Sequence, residues 1–403
     1  MDEIFGPSGL LAGKITFYEH RPEQSQMAKA VREALAREKF LVVEAGTGTG
    51  KTLAYLIPAV LSGKRVVIST GTKTLQEQLF FKDVPLVQEQ LHFSFKAAFM
   101  KGRGNYLCWR RFRLLSRQPL FSSLEEVDHY QRIKRWTGKT HTGDRAELAD
   151  LPEELSLWKE ICASSDTCLG QSCEFFESCF ITRIRQEAAG ADVLIVNHHL
   201  FFADLGVRLK GYGEVLPRYE AVIFDEAHQL EEVATQYLGS EVSNYRFEEL
   251  ARDLRREAAA AGVKGKDETL AKTANDLLAV RERFFDHLRR ADSRYTLKEE
   301  HLTGKVMEAA GGLAEKLAFL SSHLEGRQDP PEGLRAIGRR AQDLKQELEG
   351  LLAFSAPESI YWCETRGRGV FLHASPVDVS SPLQEHLYPR LKAAVFTSAT
   401  LST

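Results

Sequence analysis

The chain has 403 residues, a formal net charge of −3 and 43% hydrophobic residues. This length predicts two or three domains with a large core. The near-neutral charge excludes a general attraction to nucleic acid, so any such site must be a local patch. The chain begins MDEIF, unlike a secretory signal, and no apolar run approaches the roughly 20 residues of a membrane span. We therefore expect a cytoplasmic protein with no membrane partner.

The first strong motif is EAGTGTGKTLAYLIPAV, residues 44–60. It lies between a predicted buried strand, 39–43, and a predicted apolar helix, 53–61. Strand, glycine-rich turn, Lys-Thr and helix is the P-loop order, in which backbone N–H groups and the helix N-terminus bind phosphate. Lys51 is expected to reach the β- and γ-phosphates of ATP, and the Thr52 hydroxyl to ligate Mg²⁺. The predicted nucleotide-binding residues of this motif are Ala45, Gly46, Thr47, Gly48, Thr49, Gly50, Lys51 and Thr52.

Four further apolar runs read as buried strands, at residues 65–70, 193–196, 221–224 and 393–396. Together with the first strand they predict an α/β fold: a RecA-like P-loop parallel sheet with two insertions. The predicted sheet domain comprises 1–102, 186–231 and 359–403. The first insertion, 103–185, contains most of the cysteines, and the second, 232–358, is charged with helical periodicity and a break at 329–333.

A basic and aromatic stretch, KGRGNYLCWRRFRLLSR, occupies residues 101–117 and has six basic residues and no acidic ones. Basic groups can follow a phosphate backbone while rings stack on bases, which suits single-stranded nucleic acid. A solvated amphipathic helix with its rings in the core fits this segment equally well. The predicted nucleic-acid contacts here are Lys101, Arg103, Tyr106, Arg110, Arg111 and Arg113.

Five of the six cysteines fall between residues 108 and 179, which in an intracellular protein indicates metal or redox chemistry before disulfides. Proximity along the chain favours a set made of Cys162, Cys168, Cys173 and Cys179, leaving Cys108 over. Four thiolates suit a [4Fe-4S] cluster. Zinc is the alternative, although only Cys168 and Cys173 approach the close pairing of structural zinc sites. Cys363 reads as a buried strand residue.

The run AVIFDEAH, 221–228, is an apolar strand followed by two carboxylates. After a P-loop this is the place of a Walker B element. Asp225 is expected to hold Mg²⁺, and Glu226 to orient or deprotonate the attacking water. The predicted catalytic residues are Lys51, Asp225, Glu226 and His228.

DEAH at these positions resembles the superfamily 2 helicases, and three other segments strengthen the resemblance. RPEQSQM, 21–27, resembles the Q motif, in which Gln24 would recognise adenine. STGTKTLQEQL, 69–79, resembles motif Ia, in which Thr72 and Gln76 would contact the nucleic-acid backbone. TSATL, 397–401, resembles motif III, whose residues Ser398, Ala399 and Thr400 would couple hydrolysis to strand movement.

KGRGNYLC, the cysteine cluster, VLIVNHHLFFADL and DEAH, in that order, are similar to the DinG/XPD family of iron-sulfur DNA helicases, in its bacterial DinG/YoaA branch. The resemblance implies that the first insertion is an iron-sulfur domain and the second a helical Arch domain. It also implies a ligand set of Cys108, Cys168, Cys173 and Cys179. Asn197 and His198 fall in a family motif, and their roles stay open at this point, although a His beside a buried strand is more often structural.

By this resemblance the expected function is an ATP-dependent DNA helicase that moves 5′ to 3′ on single-stranded DNA in repair or replication. The expected cofactors are ATP, Mg²⁺ and a [4Fe-4S] cluster. The expected partners are single-stranded and forked duplex DNA, with replication or repair proteins as candidates, and a monomer is expected. Two alternatives remain: a DEAH-type ATPase that remodels RNA or nucleoprotein complexes, and an iron-sulfur DNA-binding module with a vestigial ATP site. The sequence reading expects the second RecA-like lobe to be absent from this chain.

Overall fold

The computed structural model describes residues 1–15, 18–117, 121, 123–152, 154–209, 213–261, 268–356 and 358–400. The chain forms two compact units, each assembled from separate stretches of sequence. The first unit comprises 1–102, 181–238 and 379–403. The second comprises 103–180 and 239–378. The two predicted insertions therefore supply the second unit, which also includes residues from beyond the predicted end of the second insertion at 358.

The strands, in chain order, are β1 Phe40–Glu44, β2 Val66–Thr70, β3 Ala97–Phe99, β4 Val193–Asn197, β5 Ala221–Asp225, β6 Ser240–Ser243, β7 Arg294–Thr296, β8 Ser359–Arg366, β9 Gly369–Pro376 and β10 Ala393–Ser398.

The α-helices are α1 Asp2–Phe5, α2 Leu10–Lys14, α3 Pro22–Ala36, α4 Lys51–Leu61, α5 Lys73–Gln78, α6 Trp109–Arg117, α7 Leu124–Thr137, α8 Ser156–Ile161, α9 Phe180–Ala189, α10 His198–Leu209, α11 Leu230–Leu238, α12 Asn244–Ala260, α13 Glu268–Leu288, α14 Gly304–Glu325, α15 Glu332–Leu352 and α16 Ser380–His386. Within the described residues, none of these helices is both long and apolar enough to cross a membrane.

The first unit is built on a parallel sheet with the strand order β1-β10-β5-β2-β4-β3. Every residue of β2, β4 and β5 is buried, as expected for parallel strands covered on both faces. The five predicted strands and the predicted parallel sheet are confirmed. The short β3 is an additional edge strand that the sequence reading missed.

Alternate residues of the central strands pack into two separate apolar cores, one on each face of the sheet. Val66 and Ile68 point to the face covered by α3 and α4, whereas Val67 points to the opposite face with Phe224 and the α10 residue Phe201. Because the strands are parallel, their carboxyl ends lie along one edge. That edge therefore gathers the residues that follow β1, β5 and β10, where the P-loop, the DEAH sequence and motif III begin.

In the second unit, the long helices α12 to α15 pack around one apolar core. The inner face of an antiparallel sheet packs against the same core. This sheet has the order β6-β9-β8-β7. Strands β8 and β9 lie in the part of the sequence assigned to the nucleotide-binding domain, 359–403, yet they pair here and not with the parallel sheet. Cys363 is a fully buried residue of β8, as predicted. The cysteine-rich segment has its own smaller core, which includes Phe112, Tyr130 and Trp158.

Candidate nucleotide site

The glycine-rich turn between β1 and α4 has the backbone conformation of a phosphate-binding loop. Gly48 and Gly50 have φ values of 82° and 77°, which only glycine adopts without strain. Gly50 also lies close to Gln24: a Cβ at this position would lie 2.2 Å from the Gln24 amide, which would have to move. Helix α4 begins at Lys51, directly after this turn, so its N-terminal end faces the loop.

The predicted adenine-recognition residue lies against this loop. Gln24 is 5% exposed, and its Nε2 donates a hydrogen bond to the Gly50 carbonyl at 3.0 Å. The Arg21 guanidinium donates to the carbonyl of Gly48. Within the loop, Thr49 Oγ1 donates to the Gly46 carbonyl at 2.9 Å. The Q-motif helix thus buttresses the phosphate loop, and adenine recognition by Gln24 stays a prediction.

Lys51 and Glu226 form an ion pair across the site. Lys51 Nζ lies 3.0 Å from Glu226 Oε1, and the two side chains are 12% and 22% exposed. Glu226 adopts a left-handed backbone conformation, with φ 59° and ψ 48°. Such strain in a non-glycine residue is concentrated at functional sites, because surrounding contacts must hold it in place. The structure therefore brings the predicted phosphate-binding lysine and the predicted general base together.

Asp225 is held by a tyrosine that the sequence reading did not single out. The buried Tyr55 hydroxyl donates to Asp225 Oδ2 at 3.0 Å, and the Thr52 side chain lies against the same hydroxyl. Burial raises the pKa of Asp225, and the hydrogen bond from Tyr55 partly offsets that rise. Burial, reinforced by the Asp225 charge, also raises the pKa of Tyr55 well above its ordinary value. Tyr55 follows Lys51 by four residues, so helical spacing could have indicated it.

The remaining Asp225 oxygen fits a cation ligand. Among the residues that the structure describes, Asp225 Oδ1 is buried and has no hydrogen-bond partner. A carboxylate oxygen of this kind is costly to bury unless something binds it. Carboxylate and hydroxyl oxygens are suitable ligands for Mg²⁺. Thr52 and Asp225, which both contact the Tyr55 hydroxyl, therefore fit the predicted Mg²⁺ site.

Ser398 of motif III makes hydrogen-bond contacts with the DEAH sequence. Ser398 Oγ lies 2.8 Å from His228 Nδ1 and 3.2 Å from Glu226 Oε2. The Thr400 N–H donates to the same oxygen at 3.2 Å, and the Ala45 N–H donates to the Ser398 carbonyl at 3.0 Å. Ala399 lies between the two motif III residues that make these bonds. A displacement of motif III would therefore change the hydrogen bonds of Glu226, of His228 and of the start of the P-loop.

His198 connects the neighbouring strands beneath the site. Its ring is completely buried, and its Nδ1 lies 2.7 Å from Ser69 Oγ at the end of β2. Burial lowers the pKa of His198 to about 4, so the ring is neutral at physiological pH. Asn197 Oδ1 accepts a hydrogen bond from the Leu200 N–H and caps α10. Both residues thus have structural contacts.

Three of the predicted nucleic-acid contacts are buried. Gln76 is fully buried, and its amide donates to the carbonyls of Met100 and Ile195 at 2.8 and 3.2 Å. Lys101 is 5% exposed and lies 2.8 Å from Glu77, and Tyr106 is 2% exposed. Burial of these side chains argues against direct contact with nucleic acid. Thr72 is exposed at the start of α5, and Arg103 is half-buried.

The three arginines of α6 are all engaged with carboxylates of the second unit. Arg110 pairs with Glu257, Arg111 lies 3.3 Å from Asp253, and Arg113 pairs with Glu174. Arg111 and Asp253 are 12% and 9% exposed, and Asp253 also lies 2.7 Å from Arg340. The predicted DNA contact of these arginines would have to compete with ion pairs already made. It stays a prediction.

The five clustered cysteines are partly buried, with free thiols. The Cys108 N–H donates to the Ile161 carbonyl at 2.8 Å, and Leu107 and Cys162 form an isolated backbone β-bridge. The two competing ligand candidates, Cys108 and Cys162, are therefore neighbours. The Cys108 thiol has both Cys162 and Cys173 as electrostatic neighbours, so these interactions do not separate the two ligand sets. Over the described part of the chain, no three His, Cys, Asp or Glu side chains form a compact metal site.

Comparisons with known proteins found the following similarities. A family model described as DEAD/DEAH box helicase matches residues 21–102. The chain is 36% identical over 400 residues to the ATP-dependent DNA helicase YoaA of Haemophilus influenzae and 35% identical to YoaA of Escherichia coli. It is 29% identical to the 3′-5′ exonuclease DinG of Bacillus subtilis. A solved XPD helicase matches with a TM-score of 0.48 and 15% identity, over 96% of this chain and 59% of that one.

The P-loop, the Asp-Glu pair and the serine–histidine contact form a candidate nucleotide-binding site, and the matched segment 21–102 is similar to DEAD/DEAH-box helicases. Over almost its whole length, the chain is similar to the YoaA and DinG proteins. The matches cover 99%, 100% and 96% of this chain for the two YoaA proteins and DinG. The chain spans 62% and 63% of the YoaA relatives and 46% of the DinG relative.

Proposed function

We propose that this chain is the ATP-binding part of an ATP-dependent DNA helicase that moves 5′ to 3′ on single-stranded DNA. The observation that carries the proposal is the convergence of Lys51, Asp225 and Glu226 at the carboxyl edge of the parallel sheet. Lys51 would exchange its ion pair with Glu226 for the γ-phosphate, and Glu226 would then be free to accept a proton from water.

Coupling of hydrolysis to DNA movement is assigned to Ser398. Its hydroxyl contacts both His228 and Glu226, so loss of the γ-phosphate would change its hydrogen bonds. Ser398, Ala399 and Thr400 lie at the end of β10 and could transmit that change along the backbone. Thr72 and Arg103 are retained as proposed DNA contacts because Thr72 is exposed and Arg103 is only half-buried.

The same proposal includes a [4Fe-4S] cluster bound by Cys108, Cys168, Cys173 and Cys179. Four thiolates are the ligands that such a cluster requires, and the resemblance to the DinG/XPD family favours Cys108 over Cys162 as the fourth ligand. The cluster would join the start of α6 to the cysteine loop and fix their relative position. A monomer with single-stranded or forked DNA as its partner, acting in repair or replication, completes the proposal.

Strand-polarity unwinding, with DNA and RNA substrates side by side, tests the function. The expected result is ATP-dependent unwinding of DNA from a 5′ single-stranded tail. Lys51→Ala should abolish turnover. Glu226→Gln should retain Mg·ATP binding while single-turnover hydrolysis falls by orders of magnitude, because an amide cannot take the proton. Unwinding of RNA alone would favour the RNA-remodelling alternative. Near wild-type turnover in Lys51→Ala would refute the ATP site.

A further inference from the structure

The antiparallel sheet of the second unit has two chemically different faces. Along β8 and β9, residues such as Tyr361, Cys363 and Leu372 are buried in the helical core, whereas the alternate residues Trp362 and Phe371 are only partly buried. This alternation is the normal pattern of a sheet with one face on the core. The second face, however, carries large aromatic rings where small polar residues would suffice for solubility.

These rings form an ordered row across neighbouring strands. Trp362 stacks on His373 with ring centroids 3.7 Å apart and planes 11° apart, and the Arg294 guanidinium lies 3.9 Å from the Trp362 ring. Phe371 continues the row 6.2 Å from His373. Tyr245, which is 39% exposed, lies 6.0 Å from Phe371.

Gly369 helps to make this arrangement possible. A Cβ at Gly369 would lie 2.5 Å from the Phe371 ring and 2.7 Å from the Tyr245 ring. The backbone φ of Gly369 is not positive, so the requirement is space for the two rings and not backbone conformation. The absence of a side chain at Gly369, the first residue of β9, thus leaves space for the Phe371 and Tyr245 rings.

Two exposed arginines lie at the edges of this sheet. Arg294 belongs to β7, and Arg368 lies in the turn between β8 and β9. Among the residues that the structure describes, neither has a carboxylate within 4.0 Å, in contrast to the paired arginines of α6. Arg366 also lies at the edge of the row, 2.7 Å from Glu364.

We propose that this face, defined by Arg294, Trp362, Phe371, His373 and Arg368, is a binding surface for single-stranded DNA. The inference rests on the proposed function, since it names where the substrate strand contacts the second unit. Arginines without carboxylate partners can bind phosphates without first breaking an ion pair. A guanidinium stacked on Trp362 is already oriented for that contact, and the outer rings offer surfaces on which bases can stack.

Charge reversal tests the electrostatic half of this surface. Arg294→Glu combined with Arg368→Glu in the 403-residue chain should weaken oligo(dT) binding at least about tenfold. The slope of log affinity against log salt should fall by about 1.4, because each single-strand phosphate contact contributes about 0.7. The matched control is Arg335→Glu with Arg339→Glu, two exposed arginines of α15 with the same change in net charge. The control should leave the slope unchanged.

Photocrosslinking tests the aromatic half. Oligo(dT) containing 5-iodouracil should crosslink to Trp362, Phe371 or Tyr245. Gly369→Leu should reduce that yield, because the new side chain displaces the rings. Crosslinks confined to other residues, or equal losses in the charge-reversal variant and its control, would overturn the proposal. Loss of polyglutamate binding with unchanged DNA binding would instead identify an acidic protein partner and also overturn it.

Nucleotide binding measured on the same samples separates this proposal from the proposed function. The Arg294→Glu, Arg368→Glu variant should bind Mg·ATP as the wild type does, because Lys51 and Asp225 are unchanged. Failure of Lys51→Ala to reduce nucleotide binding would refute the ATP site whatever happens at the sheet face. Intact ATP binding with unaltered DNA binding would refute the sheet face alone.

Discussion

At the scale of single residues, the hydrogen bond from Tyr55 to Asp225 explains how a carboxylate is kept in a largely buried site. One oxygen of Asp225 is satisfied by the tyrosine, and the other is left for a cation. A pattern of apolar strand and two acids can predict Asp225 but not the partner that orients it. That partner comes from α4, which is distant in sequence and close only in the fold.

Tyr55→Phe is predicted to weaken Mg·ATP binding about tenfold while Mg²⁺-free nucleotide binding stays unchanged. The substitution keeps the ring in the core and removes only the hydrogen bond that orients Asp225, at a stability cost of about 1 kcal/mol. Nucleotide titrations with and without Mg²⁺ measure the effect. Tyr295→Phe is the matched control, because its hydroxyl bonds the Leu288 carbonyl in the other unit. Equal losses with and without Mg²⁺ would mean that Tyr55 supports the phosphate loop instead.

Single residues also mark the limit of motif matching. The sequence identified Lys51, Asp225, Glu226 and Ser398, whose contacts form the site. Motif Ia led to the prediction that Gln76 contacts nucleic acid, because a motif specifies the residue type and not its exposure. The amide of Gln76 instead satisfies two buried main-chain carbonyls, a role that depends on β4 lying beside α5.

At the scale of elements, the parallel sheet was predictable because its strands are short apolar runs that end in small or polar residues. The antiparallel sheet was not predicted, because only Cys363 was assigned to a strand and nothing in the sequence indicated the partners of that strand. One of its pairs, β6 with β9, joins segments more than 100 residues apart, whereas β8 and β9 form a local hairpin. Short local patterns contain no information about such pairing.

At the scale of elements, replacement of Cys108 and replacement of Cys162 are predicted to have different effects on the iron content of the protein. Cys162→Ser is expected to keep a brown protein with about four irons per chain, whereas Cys108→Ser should lose most of both, because an open iron site favours cluster loss. Anaerobic purification, iron analysis and visible absorbance measure this. The two residues are neighbours in the structure, so each is the matched control of the other. Iron loss in Cys162→Ser alone would reject the Cys108 ligand set, and colourless protein with one zinc would reject the cluster.

The ion pairs between α6 and the long helices give a second element-scale prediction. Burial opposes ionisation of Asp253, but the charges of Arg111 and Arg340 outweigh it and lower its pKa. Asp253→Asn is expected to destabilise the second unit by about 3 kcal/mol, because two largely buried arginines lose their counterion. Asp128→Asn, which breaks the exposed pair with Arg132, should cost less than about 1 kcal/mol. Denaturant unfolding of both variants measures the difference.

The pH dependence of Asp253 follows from the direction of its pKa shift. Because its pKa is lower in the folded state, its stabilising contribution is present above the unfolded pKa of about 4 and is lost as the pH falls through the folded value. Wild-type protein should therefore lose this contribution only in acid, and Asp253→Asn should lack that part of the pH profile. An Asp253→Asn profile parallel to the wild type would show that the aspartate is not charged in the folded protein.

At the scale of the whole molecule, each compact unit has its own apolar cores and its own ligand chemistry. The nucleotide site, from Gln24 to Ser398, belongs entirely to the first unit. The cysteine segment and the arginine–aromatic face belong to the second. A chain organised in this way is not expected to unfold in a single cooperative step.

Calorimetry is therefore predicted to resolve two unfolding transitions that respond to different perturbations. Mg·ATP at 100 times its dissociation constant should stabilise only the transition of the first unit, by about 2.7 kcal/mol, because a ligand stabilises the part that binds it. Asp253→Asn should lower only the transition of the second unit. Lys51→Ala should remove the response to Mg·ATP and leave the effect of Asp253→Asn intact. A single transition shifted by both perturbations would show that the two units unfold together, and the ligand and the mutation would then have to act through one shared cooperative unit.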